Sequence, residues 1–408
     1  MSEPTENSLT VRSILGETEI AVHHMRGGTS TGIILWEPLV PVEPHLREEL
    51  VRHIMGVPLE GPVTGNRQIT GLGRGSATSN KVFLARIENI DGQDRIVSTL
   101  AQLSADHERI DWGVNCGNMS SALLMWAIDA GFISGSSPDF VEADIANTNT
   151  GVVTTARMEY TVDGRYKRAE IPGVNGSFPL VDLFLQNPTG SKTGTLLPTG
   201  SIADQIAGHT VSCVDVAVPM VIADAADFGK TAQEPYAELE ADTLFMSRFR
   251  KLWIEAAIQM RLRRKDGQLM SREEIERSET IPKACIVGPA QTGGHIAVRY
   301  FTPQTAHSSI AVSGGCCLAA AALVPGTVAN RIARELPQPS TDYSDLGIRI
   351  ENPAGILDAM LDARMFGDTL EIRRAAYRRS AQILLRGHTP IYRASNELLA
   401  ALKAHACC

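Results

Sequence analysis

A cysteine at the start of an apolar segment is the residue best suited to chemistry in this sequence. Cys116 stands in the run Asn115-Cys116-Gly117-Asn118, directly before residues 119–132, which are apolar or small on every helical face. A thiol at a helix N-terminus meets the positive end of the helix dipole and free N–H groups, which stabilise the thiolate. Cys116 is therefore either a proton donor or acceptor, or a structural cysteine beside a helix cap, and the local sequence favours neither.

A second glycine-rich turn leads into a second apolar segment. Residues 313–317 read Ser-Gly-Gly-Cys-Cys, and residues 317–323 lack a polar face. A helix without a polar face must be enclosed by its own domain. The two halves therefore repeat one plan, in which strands surround a buried helix that has a cysteine at its N-terminus. Of the neighbours Cys316 and Cys317, one must point into the core, so at most one can face a ligand.

The run Gly-Leu-Gly-Arg-Gly-Ser at residues 71–76 resembles a phosphate-binding loop but fails two tests. No Gly-Lys-Ser/Thr follows, and the next element is the strand-like stretch 81–87 rather than a helix. We expect the loop to set Lys81 at the start of a strand, with its ammonium over the glycines. Taken alone, a lysine at a strand start is usually solvated.

The turn at residues 25–30 concentrates hydrogen-bond donors. It offers an arginine, two hydroxyls and free backbone amides, on Arg26, Gly27, Gly28, Thr29 and Ser30. This combination suits a carboxylate, although a plain turn between strands is an equal reading. His307, shortly before the second glycine turn, could add a ligand contact, but a lone histidine more often satisfies a structural hydrogen bond. No His, Asp or Glu pair has metal-ligand spacing.

Strand patterns dominate the elements that must position these residues. Stretches 81–87 and 95–101 flank Asp91-Gly92, and stretches 152–160 and 165–171 flank Asp163-Gly164, which predicts two antiparallel hairpins. Residues 44–55 and 242–265 have apolar stripes at helical spacing, and a short helical pattern covers 396–404. The basic cluster at 261–265 is expected at the C-terminus of its helix. The Gly-, Ser-, Thr- and Pro-rich stretch 188–200 suggests a boundary, which gives domains 11–195 and 196–408.

Composition sets the broad class. The chain has 408 residues, 43% hydrophobic and 21% charged, with a net charge of -8. These values are typical of a soluble globular protein with two domains, and they argue against nucleic acid as a partner. Seven cysteines without paired CxxC spacing, no secretory signal and no long apolar run predict a cytoplasmic protein with no membrane partner. The helix at 242–265 could serve a homodimer, but nothing requires one.

Six short motifs together resemble one family. They occur at residues 25–32, 71–82, 115–121, 147–151, 196–200 and 313–326, in the order seen in the 2-methylaconitate cis-trans isomerase family. That family includes 4-oxalomesaconate tautomerase and methylitaconate and aconitate isomerases, and it is similar to diaminopimelate epimerase in fold. The likeness covers about residues 19–387.

The resemblance implies an α+β fold of two pseudo-symmetric domains, each a barrel-like sheet around a central helix, with substrate between the helix N-termini. It implies that Lys81 and Cys116 are catalytic and that no metal or organic cofactor is needed. It also implies a set of substrate-binding residues: Arg26, Gly27, Gly28, Thr29, Ser30, Asn115, Gly117, Asn118, His307, Ser313, Gly314 and Cys317.

Several positions depart from the family pattern and leave the substrate open. Thr31 stands where a lysine commonly follows the Thr-Ser pair, and Arg74 replaces a usual glycine and could restore the charge. Cys317 matches the methylaconitate branch, whereas residues 306–310 are more similar to the oxalomesaconate branch.

The function implied is isomerisation or tautomerisation of a small unsaturated di- or tricarboxylate by allylic proton transfer, without a cofactor. One alternative is an amino-acid epimerase or racemase that uses Cys116 and Cys317 as two thiols. Another is a carboxylate-binding protein that has lost its chemistry, for which the change at Thr31 is the only support.

Overall fold

Both ends of the chain contribute to its first unit. The computed structural model describes residues 9–75, 79–113, 115–135, 137–264, 266–278, 281–302 and 304–405. Unit 1 contains the residues up to Leu183 and those from Arg379 onward, and unit 2 is Phe184–Arg378. These limits differ from the predicted division after residue 195, because the C-terminal segment returns to unit 1. Cys407 and Cys408 lie outside the described residues.

Unit 1 is a strand layer with helices on both sides. Its strands are β1 (Val11–Ile14), β2 (Glu17–Gly27), β3 (Ser30–Trp36), β4 (Lys81–Ile90), β5 (Gln93–Leu103), β6 (Ile110–Asp111), β7 (Phe140–Asn147), β8 (Val153–Glu159) and β9 (Arg168–Ile171). Its helices are α1 (Pro44–Met55), α2 (Gly117–Asp129) and, near the C-terminus, α8 (Asn396–His405). Strand β10 (Val174–Gln186) leaves this unit for unit 2, and β19 (Thr369–Pro390) returns.

Alternating side chains give the unit 1 sheet two different faces. Ile33, Val82 and Leu84 belong to an apolar core with α1 and α8. The opposite face packs on α2, whose residues are almost all buried, as the lack of a polar face predicts. Because successive strand residues point to opposite faces, Lys81 faces α2 whereas Val82 faces the other core.

Unit 2 is built on the same plan. Its strands are β11 (Asp204–Ile206), β12 (His209–Val216), β13 (Val218–Asp224), β14 (Lys283–Gly288), β15 (Ile296–Thr302), β16 (Thr305–Ala306), β17 (Ser344–Asn352) and β18 (Gly355–Phe366). Its helices are α3 (Tyr236–Ala241), α4 (Thr243–Gln259), α5 (Arg272–Arg277), α6 (Val312–Leu323) and α7 (Val328–Ile332).

The pairing of strands repeats between the units. In unit 1, β4 lies parallel to β3 and antiparallel to β5, and β5 is parallel to β7. In unit 2, β14 lies parallel to β13 and antiparallel to β15, and β15 is parallel to β17. Helix α6 packs on β12, β13 and β18 as α2 packs on its own sheet, while α4 covers the opposite face. The repeated plan and the α+β class predicted from the sequence are confirmed.

Several element predictions agree with the structure. Helix α1 has the predicted bounds and stops at Gly56, which has a φ of 67°. The β4 and β5 strands form the predicted hairpin around Asp91-Gly92, both with positive φ. Helix α8 covers the predicted C-terminal pattern.

Three element predictions need correction. Helix α4 ends at Gln259, because the chain turns at Arg261 with a φ of 52°, so the basic cluster lies beyond the helix; Lys265 is outside the described residues. The predicted second hairpin, of residues 152–160 with 165–171, is reduced to a single antiparallel bridge between Tyr160 and Tyr166. Its two strands pair elsewhere, β8 with β7 and β9 with β10. Helix α6 begins at Val312, so the glycine turn is already helical.

No helix in the described part of the chain is both long enough and apolar enough to cross a membrane.

Helix α8 should be an integral part of unit 1, because Leu398 and Leu402 are fully buried and Ser395 donates to the Glu49 carboxylate of α1. We predict that Leu402→Ala lowers the free energy of unfolding by about 2–4 kcal/mol, through lost apolar contact and a cavity. Lys403→Ala, on the exposed side of the same helix, is the control and should change it by about 0.5 kcal/mol or less. Chemical denaturation measures both, and equal effects would contradict the packing of α8.

Candidate active site

Lys81 is the first residue of β4 and is only 4% exposed. Gly32 on the neighbouring strand makes room for it, since a Cβ at residue 32 would lie 2.7 Å from the Lys81 carbonyl oxygen and 3.2 Å from Cε of Met119 in α2. Burial lowers the pKa of Lys81 below its ordinary value, and the charge of Cys116 partly opposes that shift. The amine predicted to be catalytic is thus desolvated and electrostatically linked to the predicted thiol.

A buried amide pair fixes the loop that leads to Lys81. The side chains of Gln68 and Asn80 form two reciprocal hydrogen bonds, of 3.0 and 3.1 Å. Gln68 also donates to the carbonyl of Met55, and it accepts from the backbone N–H of Gly75. Both side chains are almost fully buried, so water cannot hydrogen-bond to their amide groups. The bonds within the protein satisfy these groups instead.

The glycines of this loop allow close backbone contact and do not form a phosphate cradle. A Cβ on Gly71 would overlap the backbone of Gly56 at the end of α1, and a Cβ on Gly73 would overlap the side chain of Gln68. The structure therefore gives a packing reason for the glycine pattern. Ser76 lies outside the described residues.

Cys116 is the N-cap residue of α2. Its carbonyl accepts the first hydrogen bond of the helix, from Ser120 N–H at 2.9 Å, and its own N–H donates to the side chain of Asn115. The amides of Gly117, Asn118 and Met119 precede that first helical bond, so they point out of the helix end as donors. The half-buried Cys116 thiol donates to Oγ of Ser30 across 3.9 Å. The predicted placement of the thiol at a helix N-terminus is confirmed.

The turn at residues 26–30 packs directly on the start of α2. Gly28 has a φ of 54°, and a Cβ there would overlap the side chain of Asn118. A Cβ on Gly27 would likewise meet the backbone of Asn118 and Met119. Asn118 donates to the hydroxyl of Thr29 at 3.1 Å. The glycines of the turn are thus needed to bring the two hydroxyl residues next to Cys116 and Asn118.

Arg26 mainly organises this turn. Its guanidinium donates to the carbonyls of Gly28 and Ser380 and to the side chain of Gln382, and it lies 4.5 Å from the ring centroid of Phe178. Its Nη2 atom is buried with no hydrogen-bond partner among the described residues. The Nε and Nη1 donors of Arg26, predicted to hold a carboxylate, are therefore already engaged within unit 1, and its Nη2 is not.

Arg379 is a site residue that the sequence did not reveal. It follows the crossing of β19 into unit 1, and its Nε donates to Oδ1 of Asn118 at 3.0 Å. Together the two bonds fix the orientation of the Asn118 amide, with Nδ2 toward Thr29 and Oδ1 toward Arg379. Residues 118 and 379 are far apart in sequence, and no local motif surrounds Arg379. Only the pairing of β19 with β2 brings it to the site.

The family departures at Thr31 and Arg74 have separate surroundings. The hydroxyl of Thr31 is buried without a hydrogen-bond partner among the described residues. Burial, and to a lesser extent the nearby charge of Arg74, lower the pKa of His24 to about 4. Arg74 thus acts on His24, on the face of β2 opposite Met25. Its predicted compensation for the missing lysine stays a prediction.

Cys316 and Cys317 are both fully buried inside α6, contrary to the prediction of a cysteine at the helix start. The Cys317 thiol donates to the carbonyl of Val214 at 3.4 Å, and burial raises its pKa well above the ordinary value. The Cys316 thiol donates to the carbonyl of Ala376. Helix α6 starts at Val312, and Gly314 and Gly315 in its first turns pack against Tyr300 and Leu357, where a Cβ would clash. Cys317 is therefore a core residue, which disfavours both its predicted substrate contact and the two-thiol alternative.

The other unit 2 residues lie around the first turn of α6. Ser313 and Gly314 are in that turn, and His307 precedes it. Among the described residues, no three His, Cys, Asp or Glu side chains are grouped to hold a metal ion.

Comparisons with known proteins agree with this fold. Residues 17–392 match the family described as PrpF protein. The "Putative isomerase YbhH" of Escherichia coli (strain K12) is 34% identical over 83% of this chain and 89% of its own length. The "4-oxalomesaconate tautomerase" of Pseudomonas putida is 31% identical over 84% of this chain and 88% of its own. A crystal structure of methylitaconate-delta-isomerase superposes with a TM-score of 0.76 at 25% identity, covering 95% and 97% of the two chains.

An α+β protein with this fold and these relatives is an isomerase. The chain belongs to the PrpF family, which confirms the resemblance seen in its motifs.

The amide pair should stabilise unit 1. Asn80→Ala removes both hydrogen bonds to Gln68 and those that Asn80 makes with the Arg74 N–H and the Gly75 carbonyl, and we predict a loss of about 1–3 kcal/mol in the free energy of unfolding. Asn89→Ala removes an exposed amide that bonds Asp94 and Gly92, and should cost about 0.5 kcal/mol or less. Equal losses in chemical denaturation would show that the buried pair adds nothing.

The pKa of Lys81 should respond to Cys116. Burial lowers this pKa and the charge of Cys116 raises it, so Cys116→Ser should lower it further. The measurement is a pH titration of the lysine Cε signals by NMR in ¹³C-labelled protein, with Lys81 assigned from Lys81→Arg. Exposed Lys251 serves as the internal reference. A Lys81 midpoint equal to that of Lys251, or one that rises in the serine variant, would refute the electrostatic link.

Proposed function

We propose that this protein interconverts isomers of a small unsaturated di- or tricarboxylic acid by allylic proton transfer, with no cofactor. The observation that carries the proposal is the buried Lys81 amine, linked electrostatically to a thiol at the N-terminus of α2. The printed names of the relatives, an oxalomesaconate tautomerase and a methylitaconate isomerase, support this substrate class.

Lys81 is the base in this proposal. An exposed lysine is only about one part in 2,500 neutral at pH 7, and desolvation increases that fraction. The free amine breaks the C–H bond next to the substrate double bond and takes the proton. The electron pair left behind delocalises through the double bond into a carboxylate as a dienolate.

Cys116 is the second proton-transfer group. Protonation of the dienolate by the Cys116 thiol, at the far allylic carbon or at the original carbon after rotation, completes the isomerisation without any net change in oxidation state. The Cys116 thiol is half-buried, contacts Oγ of Ser30 and lies at the N-terminus of α2, so it is suited to delivering that proton. A proton transfer from the Lys81 ammonium to the Cys116 thiolate then restores both groups for the next turnover.

Backbone donors stabilise the charge that develops on the carboxylate. The amides of residues 117–119 are fixed by the helix and need not reorient during the reaction. The Thr29 and Asn118 side chains lie beside them, held by Arg379. We propose Arg26, Gly27, Gly28, Thr29, Ser30, Asn115, Gly117 and Asn118 as the substrate-binding group of unit 1.

Lys81→Ala should lower kcat by at least about a hundredfold, the lower scale of general acid-base catalysis. The Cys116→Ser variant should have lower activity without losing it completely, because a hydroxyl can still orient the ligand. The assay follows deuterium incorporation by proton NMR in heavy water, with 4-oxalomesaconate, 3-methylitaconate, 2-methylaconitate and aconitate.

Lys167→Ala is the matched control for this test, because Lys167 is exposed and paired with Glu159 in the same unit. It should retain wild-type turnover. Near-normal kcat in Lys81→Ala on a confirmed substrate would remove Lys81 from the mechanism, and a requirement for added metal or nucleotide would refute the cofactor-free reaction.

A further inference from the structure

A cleft lies along the second half of α2, and every residue that lines it belongs to unit 1. Its volume is about 430 Å³. Its apolar wall is formed by Met125 and Ile128 of α2, Phe178 and Pro179 of β10, and Ile383 of β19. Along the helix, Met125 is about 14 Å beyond Cys116, at 1.5 Å per residue. The cleft is therefore separate from the candidate active site at the start of α2.

The strands beside the cleft are irregular at its edge. The pairing of β9 with β10 shifts register between Val174 and Phe178, and the pairing of β19 with β2 shifts register between Ile383 and Leu385. A bulge bends its strand and interrupts the hydrogen-bond ladder. The last two residues of α2 are only half-buried there, whereas the preceding residues 119–127 are buried. The cleft is thus a local opening in the strand layer around α2.

The wall of the cleft suits a flat ring. Phe178 and Tyr166 provide aromatic surface, and Met125 provides a polarisable thioether, which makes favourable contacts with aromatic rings. Tyr166 stacks on Tyr160 with 5.1 Å between the ring centroids, which holds its ring in place. An aromatic ring in the cleft would cover this apolar surface and remove it from water.

The charged groups of the cleft favour an anion. Asp129, the one acid in its described lining, contacts His23 at 3.2 Å through one oxygen and Arg386 at 3.0 Å through the other. Arg168 also lines the cleft and donates to the carbonyl of Ser177. No carboxylate of the described residues forms an ion pair with Arg168. The acid is therefore neutralised by its own partners, whereas the Arg168 charge is left for a ligand.

Gln382 adds a directed donor and joins the cleft to the candidate active site. Its Oε1 accepts from Nε of Arg26 at 3.3 Å, so its Nε2 amide is turned away from that guanidinium and can donate to a ligand. Phe178 also reaches Arg26, whose guanidinium lies 4.5 Å from the centroid of the ring. Arg26 in turn holds the carbonyl of Gly28 in the turn that carries Ser30. Two residues of the cleft thus contact the arginine that organises this turn.

We propose that this cleft is a regulatory site for a small aromatic carboxylate. The ring lies on Phe178 and the side of α2, and the carboxylate accepts hydrogen bonds from Arg168 and Gln382. The ligand is not the substrate of the proposed function, since the active site is at the other end of α2. Its effect reaches that site through Arg26. Binding to the cleft is independent of the proposed function, whereas the regulatory effect rests on it.

Binding is tested with 2-naphthoate as the probe, on the whole chain labelled with ¹³C at the methionine methyl groups. The ring current of the bound probe should shift the Met125 signal, assigned from Met125→Leu, with a Kd of about 0.1–1 mM. Met119, whose Cε lies beside Gly32 near Lys81, reports on the active site and should shift less. Naphthalene-2-carboxamide keeps the ring without the charge and should bind about three- to tenfold more weakly.

Variants of the wall separate the ring contact from the charge contact. Ile128→Phe fills the cleft from α2 and should abolish saturable binding in calorimetry. Arg168→Met should raise the naphthoate Kd by about three- to tenfold and leave the carboxamide Kd unchanged. Arg165→Met is the matched control, because Arg165 is exposed, pairs with Asp163 and lies outside the cleft. It should match the wild type in both titrations.

The regulatory effect is tested by kinetics on the acid that the wild-type protein turns over. Saturating 2-naphthoate should change kcat or KM by a fixed factor of about five or more, and the Ile128→Phe variant should not respond. A KM that rises in proportion to naphthoate without limit would place the probe in the active site and overturn the proposal. Unchanged kinetics at saturation would refute the link through Arg26.

The binding outcomes stand apart from the proposed function. No shift of the Met125 signal at 10-fold the expected Kd, or a larger shift of Met119 than of Met125, would overturn the cleft site. Equal Kd values for the naphthoate and the carboxamide, unchanged in Arg168→Met, would overturn the assignment of a carboxylate. Naphthoate binding that depends on Arg168 and Ile128, in a protein that turns over none of the acids, would support the site and overturn the isomerase chemistry.

Discussion

The desolvation of one ammonium governs the arrangement of unit 1. Lys81 is held on the helix-facing side of its sheet, where water is largely excluded and the charged form is penalised. Burial of that kind is tolerated only if the surrounding backbone is fixed. The Gln68–Asn80 pair fixes the loop before the lysine, and Gly32 opens the neighbouring strand for it. The charge of Cys116 partly offsets this penalty.

Close approach of backbone segments is the second constraint. Three places show such close contact: Gly27 and Gly28 against the start of α2, Gly71 against the end of α1, and Gly314 against Tyr300. In each case a single methyl group would force two segments apart. The glycines at these positions therefore allow helix ends and hydroxyls to come within hydrogen-bonding distance. A nucleotide loop would use the same residues to expose its amides.

The sequence predicts what depends on local pattern or on short motifs. The buried helix after Cys116, the hairpin around Asp91-Gly92 and the position of Lys81 at a strand start all follow from neighbouring residues. The start of α6 does not, because two glycines and a serine are typical of a turn, and only contacts with Tyr300 and Leu357 show that they are helical. Arg379 could not be predicted either, since a long strand pairing joins it to Asn118. Cys317 was expected near ligand by family position, and its burial follows from the early helix start.

The return of the chain to unit 1 has a consequence for biosynthesis. Strand β19 pairs with β2 only after all of unit 2 has been made, and α8 follows it. During synthesis on the ribosome, unit 1 emerges first, and its strand β2 has no β19 to pair with. Unit 2 can fold before that pairing forms. Arg379 follows unit 2 in the chain, so its hydrogen bond to Asn118 forms only after unit 2 has been synthesised.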